Sequence, residues 1–252
     1  MTETEFALLV DLHKDNPRQG PGRVADTGRA IELSGLSPSP ALRLADIGCG
    51  TGAAALVLAR RLGGHVTAID LSPVFLDTLR RRAGAEGLAG DITPVAASME
   101  ALPFAPGTFD AIWSEGAIYC MGFAAGLAAF RPLLRPGGIL AVSELTWLTD
   151  ERPAELEAHW SAAYPEVGTA AAKLAAMRAA GYTPLGWFPL PASAWLDAYY
   201  APLRARFPAF LARHADTPLA RELVRLEEEE MALYERNAAH VSYGYYVARR
   251  AG

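Results

Sequence analysis

One stretch, Leu44–Gly52 (LADIGCGTG), constrains the fold more than any other part of the chain. An apolar strand ends there in a turn with three glycines, where the backbone can approach a ligand without intervening side chains. Ala53–Leu62 then predicts a helix, and His65–Asp70 predicts a second apolar strand that ends in a carboxylate. A strand, glycine turn, helix and strand, with an acid about 20 residues past the turn, predicts a nucleoside-binding βαβ unit.

Strand and helix signals continue to alternate as far as residue 147. Further strands are predicted at Ile92–Ala96, Phe109–Ser114 and Ile139–Trp147, and a helix at Phe123–Leu134. Alternation of this kind builds a parallel sheet with helices on both faces. Ligands bind at the carboxyl ends of such strands. The polar residues expected at that edge are Asp46, Asp70, Ser98, Ser114 and Glu144.

The pattern changes after residue 150. Helices are predicted at 151–164 and 169–180, and strands at 182–190 and 241–249. The segment at about 192–240 is helical in character and starts and ends within the sheet, so we interpret it as an insertion. Its clearest helix begins at Thr217-Pro218. On that helix we interpret Glu227–Glu230 as the solvent-exposed side, with an apolar face formed by Leu219, Leu223, Leu226 and Leu233.

Residues 1–40 precede the first strand of the sheet, and we interpret them as an N-terminal helical extension. Short helices are predicted at Phe6–Leu12 and Thr27–Leu33. Between them lies Arg18–Gly22 (RQGPG), a polar, turn-forming segment. Two interpretations of this segment stay open. It is either a surface loop, or a flap over a cofactor in which Arg18 is available to a carboxylate.

Composition limits the partners of the chain. The formal net charge is −5 and no block of Lys and Arg occurs, which argues against nucleic acid. No apolar stretch approaches membrane-spanning length, and no metal-ligand spacing occurs. Cys49 and Cys120 are too few for a disulfide framework, and Cys49 lies in the glycine turn. We therefore expect a cytoplasmic protein with a small-molecule partner and no metal, nucleic acid or membrane.

The choice of cofactor depends on residues around the glycine turn. The turn satisfies the dinucleotide pattern G-x-G-x-x-A, but three further features favour S-adenosyl-L-methionine. Asp46 stands two residues before the first glycine, Leu102–Phe104 precedes the fourth strand, and Leu134–Gly138 introduces the fifth. At these residues, over about 41–147, the chain resembles class I S-adenosylmethionine-dependent methyltransferases of the ubiquinone/menaquinone-type small-molecule branch. The RQGPG segment and Trp113–Tyr119 (WSEGAIY) resemble a bacterial subgroup of that family.

The resemblance implies a fold and a set of cofactor contacts. The fold would be a Rossmann-like α/β domain over residues 41–252, with a seven-stranded sheet whose last strand is antiparallel. Asp70 would bind the ribose hydroxyls and Leu71 would pack on the adenine. Arg18 would contact the cofactor from the flap, and Asp46 would bind it or hold the glycine turn. The remaining implied contacts are Gly48, Gly50 and Gly52 with the methionine half, Ser98 and Met99 with the adenine edge, and Ser114 beside the methionine tail.

Methyl transfer from a sulfonium is an in-line displacement, so the protein mainly positions the acceptor and excludes water. A hydroxyl or a protonated amine also needs a base, whereas an enolate, a thiolate or a tertiary amine needs none. Glu115, Glu144 and Tyr119 are the candidate catalytic residues because they lie near the ends of strands that flank the expected pocket. Core packing accounts for most tryptophans after the fifth strand, but one or two are candidates to contact a planar or cationic acceptor.

The sequence thus predicts a small-molecule methyltransferase whose insertion and N-terminal flap close over the acceptor. Two alternatives stay open, namely a nicotinamide-dependent oxidoreductase and a catalytically silent S-adenosylmethionine-binding partner subunit. A homodimer is also possible, because a second copy could cover the apolar face of the helix at Leu219–Leu233.

Overall fold

A mixed β-sheet is the centre of this computed structural model, which describes residues 2–214 and 217–252. Met1 and residues 215–216, which fall within the predicted extension and insertion, lie outside the described residues. The strands are β1 (Arg43–Ile47), β2 (His65–Asp70), β3 (Ile92–Ala96), β4 (Phe109–Glu115), β5 (Leu134–Trp147), β6 (Gly168–Thr169), β7 (Tyr182–Pro189) and β8 (Val241–Arg250).

The strand order across the sheet is β3-β2-β1-β4-β5-β8-β7, and the short strand β6 pairs with β5 outside this path. Strands β1 to β5 pair in parallel, whereas β8 runs antiparallel to both β5 and β7. The predicted Rossmann-like sheet with an antiparallel last strand is confirmed, and β6 adds a two-residue eighth strand.

Helices cover both faces of this sheet. They are α1 (Glu3–His13), α2 (Val24–Ser34), α3 (Ala53–Leu62), α4 (Pro73–Ala85), α5 (Phe123–Phe130), α6 (Ala154–Ala163), α7 (Ala170–Ala179), α8 (Ala192–Trp195), α9 (Ala201–Arg204), α10 (Phe207–Arg213) and α11 (Pro218–Asn237). A π-helical turn, Leu196–Tyr200, joins α8 to α9. In the described part of the chain, no helix is both long and apolar enough to cross a bilayer.

The starts and ends of the central helices follow local sequence signals. Helix α4 begins with Pro73 at its first position, and the Ser72 hydroxyl accepts from the backbone N–H of Phe75. Helix α3 ends at Gly63, whose φ of 64° lies in the left-handed region that glycine adopts without strain. Strand β5 differs from the prediction. It begins at Leu134 instead of Ile139, because Leu134 already pairs with Phe109 before an irregularity in the ladder.

The core forms three apolar clusters. Side chains alternate between the two faces of a strand, so Leu44 and Ala45 of β1 belong to different clusters. The third cluster lies where α1 packs on the insertion, and it joins Leu8 and Leu12 to Tyr200 and Met231. The N-terminal extension and the insertion between β7 and β8 therefore pack together, which places both beside the carboxyl ends of the strands.

Helix α11 turns a different face inward than its leucines suggest. Leu219 and Leu226 are 41% and 49% exposed, whereas Ala220, Val224 and Met231 are buried. The predicted apolar face was therefore wrong in part. The chain itself covers the buried face, mainly with α1 and α10. A homodimer stays a prediction.

Candidate functional site

A cavity of about 620 Å³ lies at the carboxyl ends of β1, β2 and β4. One part of its wall comes from the segments that follow the strands: Gly48, Gly50, Asp70, Leu71, Ser98, Met99, Gly116 and Ala117. Six of these eight were expected from the sequence to bind a cofactor. The cavity thus occupies the place where doubly wound sheets bind ligands.

Asp70 ends β2 and is fixed by the backbone. Its Oδ2 accepts from the N–H of Gly50 at 2.8 Å, and its Oδ1 accepts from the N–H of Ser72 at 2.8 Å. Burial raises the pKa of Asp70, and these two N–H groups act in the opposite direction. An ionised carboxylate has about four acceptor positions, so capacity remains for two hydroxyl groups of a ligand. Leu71 beside it is 61% exposed and offers an apolar surface in the same wall.

The three glycines of the turn lie close to three different side chains. All have positive φ, and a Cβ at Gly48 would overlap Ala117 across the cavity wall. A Cβ at Gly50 would overlap the side chain of Gln19, and one at Gly52 would overlap Leu79 of α4. Gly48 and Gly50 line the cavity, whereas the structure places Gly52 against α4.

The segment Arg18–Gly22 packs directly on the glycine turn. The Oε1 atom of Gln19 accepts from the N–H of Thr51 at 2.8 Å, and its Nε2 donates to the carbonyl of His13 at 3.1 Å. Gln19, Gly20 and Pro21 then line the cavity. Because of this position, we favour a flap rather than a surface loop as the interpretation of this segment.

Arg18 and Glu115 form one buried network. The Arg18 Nη1 donates to Glu115 Oε2 at 2.6 Å, and the two side chains are 10% and 8% exposed. The other carboxylate oxygen of Glu115 accepts from the hydroxyls of Thr27 and Tyr245, each at 2.7 Å. Arg18 therefore meets a carboxylate, as expected, but that carboxylate belongs to the chain. Neither Arg18 nor Glu115 is among the residues that line the cavity.

Three more of the expected site residues lie behind the cavity wall. Asp46 is 1% exposed, and burial, with the nearby charge of Glu115, raises its pKa to about 8. The Ser114 hydroxyl donates to the carbonyl of Ile47 at 2.8 Å. Burial raises the pKa of Glu144 to about 7, although Lys173 Nζ lies 3.5 Å from its Oε1 and lowers it. These side chains support the ends of β1, β4 and β5 from within the protein.

Tyr119 lies in the cavity wall, as predicted. Its side chain is 45% exposed, and its ring packs edge-on against Tyr164 with centroids 6.1 Å apart. Desolvation of the phenol raises its pKa. The phenol is therefore protonated near neutral pH, and it can donate a hydrogen bond to a ligand.

The rest of the cavity is an aromatic chamber that sequence reasoning largely missed. It is lined from α1, α6, the insertion, β8 and the turn after β4. Trp160 and Trp195 are the two tryptophans that contact it, whereas Trp187 stacks on Tyr246. We define the aromatic chamber by the side chains of Phe6, Leu9, His13, Tyr119, Trp160, Tyr164, Trp195, Tyr199, Glu227, Glu230 and Tyr243.

The acidic run on α11 was interpreted wrongly as a fully solvated side. Glu228 and Glu229 are exposed, and Glu229 pairs with Arg225, but Glu227 and Glu230 line the chamber. Burial raises the pKa of Glu227 to about 8, and burial also raises the pKa of Glu230. A sequence signal existed, because position 227 shares one helical stripe with the buried residues Ala220, Val224, Met231 and Tyr234.

Comparison of this sequence with those of known proteins finds similarity to methyltransferases. Residues 44–138 match the family model of a methyltransferase domain. The malonyl-[acyl-carrier protein] O-methyltransferase of Erwinia pyrifoliae is 38% identical over 164 residues, which cover 60% of this chain and 58% of that protein. The ubiquinone biosynthesis O-methyltransferase of Methylocella silvestris is 34% identical over 145 residues, covering 54% and 56%. The chain thus spans a little over half the length of these curated relatives.

A structural comparison extends over nearly the whole chain. An S-adenosylmethionine-dependent methyltransferase from Geobacter sulfurreducens, in complex with S-adenosyl-L-homocysteine, has a TM-score of 0.80. The two chains are 22% identical, and the match covers 98% of each. At this identity the likeness establishes the fold, which is the Rossmann-like methyltransferase fold with antiparallel last strands.

Proposed function

We propose that this protein is an S-adenosyl-L-methionine-dependent methyltransferase that acts on a small-molecule acceptor. One observation carries the proposal, namely that a single cavity joins Gly48, Gly50 and Asp70 to the aromatic chamber. A nucleoside-type donor and an acceptor can therefore lie side by side in one enclosure. The match of residues 44–138 to a methyltransferase domain supports the same conclusion.

The residues present fit the cofactor. Asp70 has free acceptor capacity for ribose hydroxyls, and the exposed Leu71 offers a surface for adenine. Ser98 and Met99 line the same part of the cavity. When bound, S-adenosyl-L-methionine supplies a methyl group already activated on a sulfonium. The chain's own task is then to bind, to orient the acceptor and to exclude water, for which the Arg18–Gly22 segment and the insertion are well placed.

The proposal divides the expected site residues into two groups. Gly48, Gly50, Asp70, Leu71, Ser98 and Met99 are proposed to contact the cofactor, and Tyr119 the acceptor. A second group acts from behind the cavity wall by holding the ends of the strands, the turn and the flap: Arg18, Asp46, Gly52, Ser114, Glu115 and Glu144. We also propose a reducing, cytoplasmic setting, because Cys49 and Cys120 are both free thiols.

The two alternative functions are less well supported. A dinucleotide-binding dehydrogenase would have the sheet order 3-2-1-4-5-6, whereas here the antiparallel β8 lies between β5 and β7. A silent binding subunit would need no enclosed chamber next to the cofactor residues. Placement in the ubiquinone/menaquinone-type branch remains part of the proposal. The similarity to the Methylocella silvestris ubiquinone biosynthesis enzyme supports it.

Calorimetric titration with S-adenosyl-L-homocysteine and with NAD tests the proposal. We expect S-adenosyl-L-homocysteine to bind and NAD not to bind. Asp70→Ala should cost about 2–3 kcal/mol, or about 30- to 150-fold in affinity, because two charge-assisted hydroxyl contacts are lost. Asp77→Ala, which removes an exposed acid on α4, is the matched control. An Asp70→Ala protein that binds S-adenosyl-L-homocysteine as tightly as the native one would refute the assignment.

A further inference from the structure

The described lining of the cavity contains acidic side chains and no Lys or Arg that could pair with them. Among the described residues that line it, the acids are Asp70, Glu100, Glu227 and Glu230, and none is Lys or Arg. His13 also lines it, but burial lowers the pKa of this imidazole, which favours its neutral form. Its ring nitrogens lie 3.0 Å from the Leu9 carbonyl and 3.3 Å from the Tyr199 hydroxyl.

Two of these acids, Glu227 and Glu230, lie in the aromatic chamber. They lie three residues apart on α11, so both face the same way. Tyr200 donates to Glu230 Oε1 at 2.9 Å, and within residues 2–214 and 217–252 neither carboxylate takes part in an ion pair. The negative charges of both also raise the pKa of Tyr199, after burial itself. Desolvation disfavours the ionised form of carboxylates that have no counter-ion, so a cation in the chamber would stabilise the ionised form of Glu227 and Glu230 and be attracted by it.

The remaining walls suit an organic cation rather than a metal ion. Trp195 packs edge-on against Tyr243 with centroids 4.9 Å apart, and against Trp160 at 6.3 Å. Aromatic ring faces attract ammonium groups through their quadrupoles. The rings that border the chamber are those of Phe6, Tyr119, Trp160, Tyr164, Trp195, Tyr199 and Tyr243.

Two further features indicate a ligand in the chamber. Trp160 is 8% exposed and lines it, yet its Nε1–H, which can only donate, has no acceptor in the described structure. The π-helical turn Leu196–Tyr200 places Tyr199 in the chamber wall and Tyr200 on Glu230. Such turns are frequent at functional sites. A ligand oxygen near its cationic group would satisfy the indole N–H.

We infer that the acceptor is a small amine, bound as a cation among the aromatic rings and the carboxylates of Glu227 and Glu230. This inference rests on the proposed methyl transfer for the reaction, but the cation site stands on the chamber alone. An anionic acceptor in the chamber would instead meet the carboxyl groups of Glu227 and Glu230, and no Lys or Arg among the described lining residues.

Methylation of an amine can be written as a balanced reaction with the carboxylates of the chamber. An amine that arrives protonated first gives its N–H proton to a chamber carboxylate, Glu227 or Glu230. The nitrogen lone pair then forms the new N–C bond, and the electron pair of the broken S–C bond returns to the cofactor's sulfur. Burial, which raises the proton affinity of both carboxylates, suits them to accept that proton.

The inference is tested with pairs of probe molecules that have the same shape but differ in charge. Choline and phenyltrimethylammonium are compared with their neutral carbon isosteres, 3,3-dimethylbutan-1-ol and tert-butylbenzene, by calorimetry or competition. Each is titrated into the full chain, alone and saturated with S-adenosyl-L-homocysteine. We expect at least one ammonium probe to bind tenfold or more tightly than its isostere. Glu227→Gln and Glu230→Gln should each lower that preference severalfold, and Glu228→Gln, on the exposed side of α11, should not change it.

The outcomes distinguish the two proposals. If neither ammonium probe outcompetes its isostere, or if the preference survives in the Glu227→Gln/Glu230→Gln double variant, the amine site is refuted. A variant that loses both charged and neutral probes equally has lost the shape of the chamber, and this also counts against the inference. Failure of S-adenosyl-L-homocysteine to bind refutes the proposed methyl transfer instead. In that case the titrations of the cofactor-free chain still decide the cation site.

Discussion

Replacing Glu115 with Gln should destabilise this protein substantially, although the two side chains have nearly the same volume. The carboxylate of Glu115 is 8% exposed and accepts from three donors, Arg18, Thr27 and Tyr245, at 2.6 to 2.7 Å. Glutamine offers one acceptor oxygen, and its NH₂ group meets donors. It also leaves the buried guanidinium of Arg18 without its counter-ion.

The magnitude follows from the burial of this pair. Removing one partner of a buried ion pair costs about 3–5 kcal/mol, because the other charge stays buried and unpaired. Glutamine keeps one acceptor, so we take the lower end, about 3 kcal/mol. For a domain of this size 1 kcal/mol lowers Tm by about 2–4 °C, so Glu115→Gln should lower Tm by about 6–12 °C.

A double-mutant cycle with Arg18→Met measures the coupling. Urea unfolding of both single variants and the double variant should give a coupling energy of about 2 kcal/mol or more, because the double variant has no unpaired charge. Glu32→Gln is the control, since its ion pair with Arg61 at 3.2 Å is exposed and contributes little. Should Glu115→Gln unfold like the native protein and lose turnover, Glu115 would be the catalytic residue, acting as a base, that the sequence predicts.

Two more predictions concern α11 and the glycine turn. The affinity for a quaternary ammonium ion, which has no proton of its own to lose, should rise between pH 6 and 9 as Glu227 ionises through its pKa of about 8, and Glu227→Gln should flatten this rise. Calorimetry across pH measures this rise. The titratable and charged neighbours are those that line a second cavity with Glu227, and two tyrosines: Glu155, His159, Glu229, Glu230, Arg236, Tyr199 and Tyr200. Gly52→Ala should destabilise by more than about 1 kcal/mol in urea unfolding, since φ is 85° and a Cβ overlaps Leu79; Leu79→Ala should restore part of the loss.

The sheet could be predicted because its signals are local. Apolar runs, the glycine turn and the capping of α4 at Ser72-Pro73 each lie within a few residues of the element that they specify. Topology rules then bring the carboxyl ends of β1, β2 and β3 to one edge. For this reason the strand pattern predicts Asp70 and Ser98 at one edge, and the structure places both in one wall of the cavity. Leu71 and Met99, which the family resemblance implied, lie in the same wall.

Contacts that are distant in the sequence could not be predicted in the same way. Arg18 and Glu115 are 97 residues apart, and no local pattern pairs them. The sequence correctly suggested that Arg18 meets a carboxylate. It could not tell whether that carboxylate belongs to a cofactor or to another side chain of the protein. Gln19 was not singled out, although it accepts from the Thr51 N–H and lines the cavity, because an isolated glutamine carries no pattern.

Helix α11 shows why the acidic residues of the chamber were misplaced. Its leucines suggest one apolar face, yet packing against α1 and α10 turns a stripe of mixed size and polarity inward. That stripe contains Ala220, Val224 and Tyr234, whose combined hydrophobicity is modest. Glu227 lies on it, so its position depends on which face is buried, and tertiary contacts decide this rather than propensity.

In the proposed reaction, the cofactor and the acceptor are bound by residues from different parts of the chain. The residues proposed to bind the cofactor lie at the ends of strands, where topology fixes them. The residues proposed to contact the acceptor lie mainly on α1, α6 and the insertion, none of whose described residues pairs with the strands of the sheet. Glu115 connects the two parts, because its carboxylate ties the flap residue Arg18 to β4 and to Tyr245 of β8. The strand-end carboxylate that the sequence offered for catalysis therefore joins the flap to the sheet, and α11 supplies the two carboxyl groups that we propose meet the acceptor.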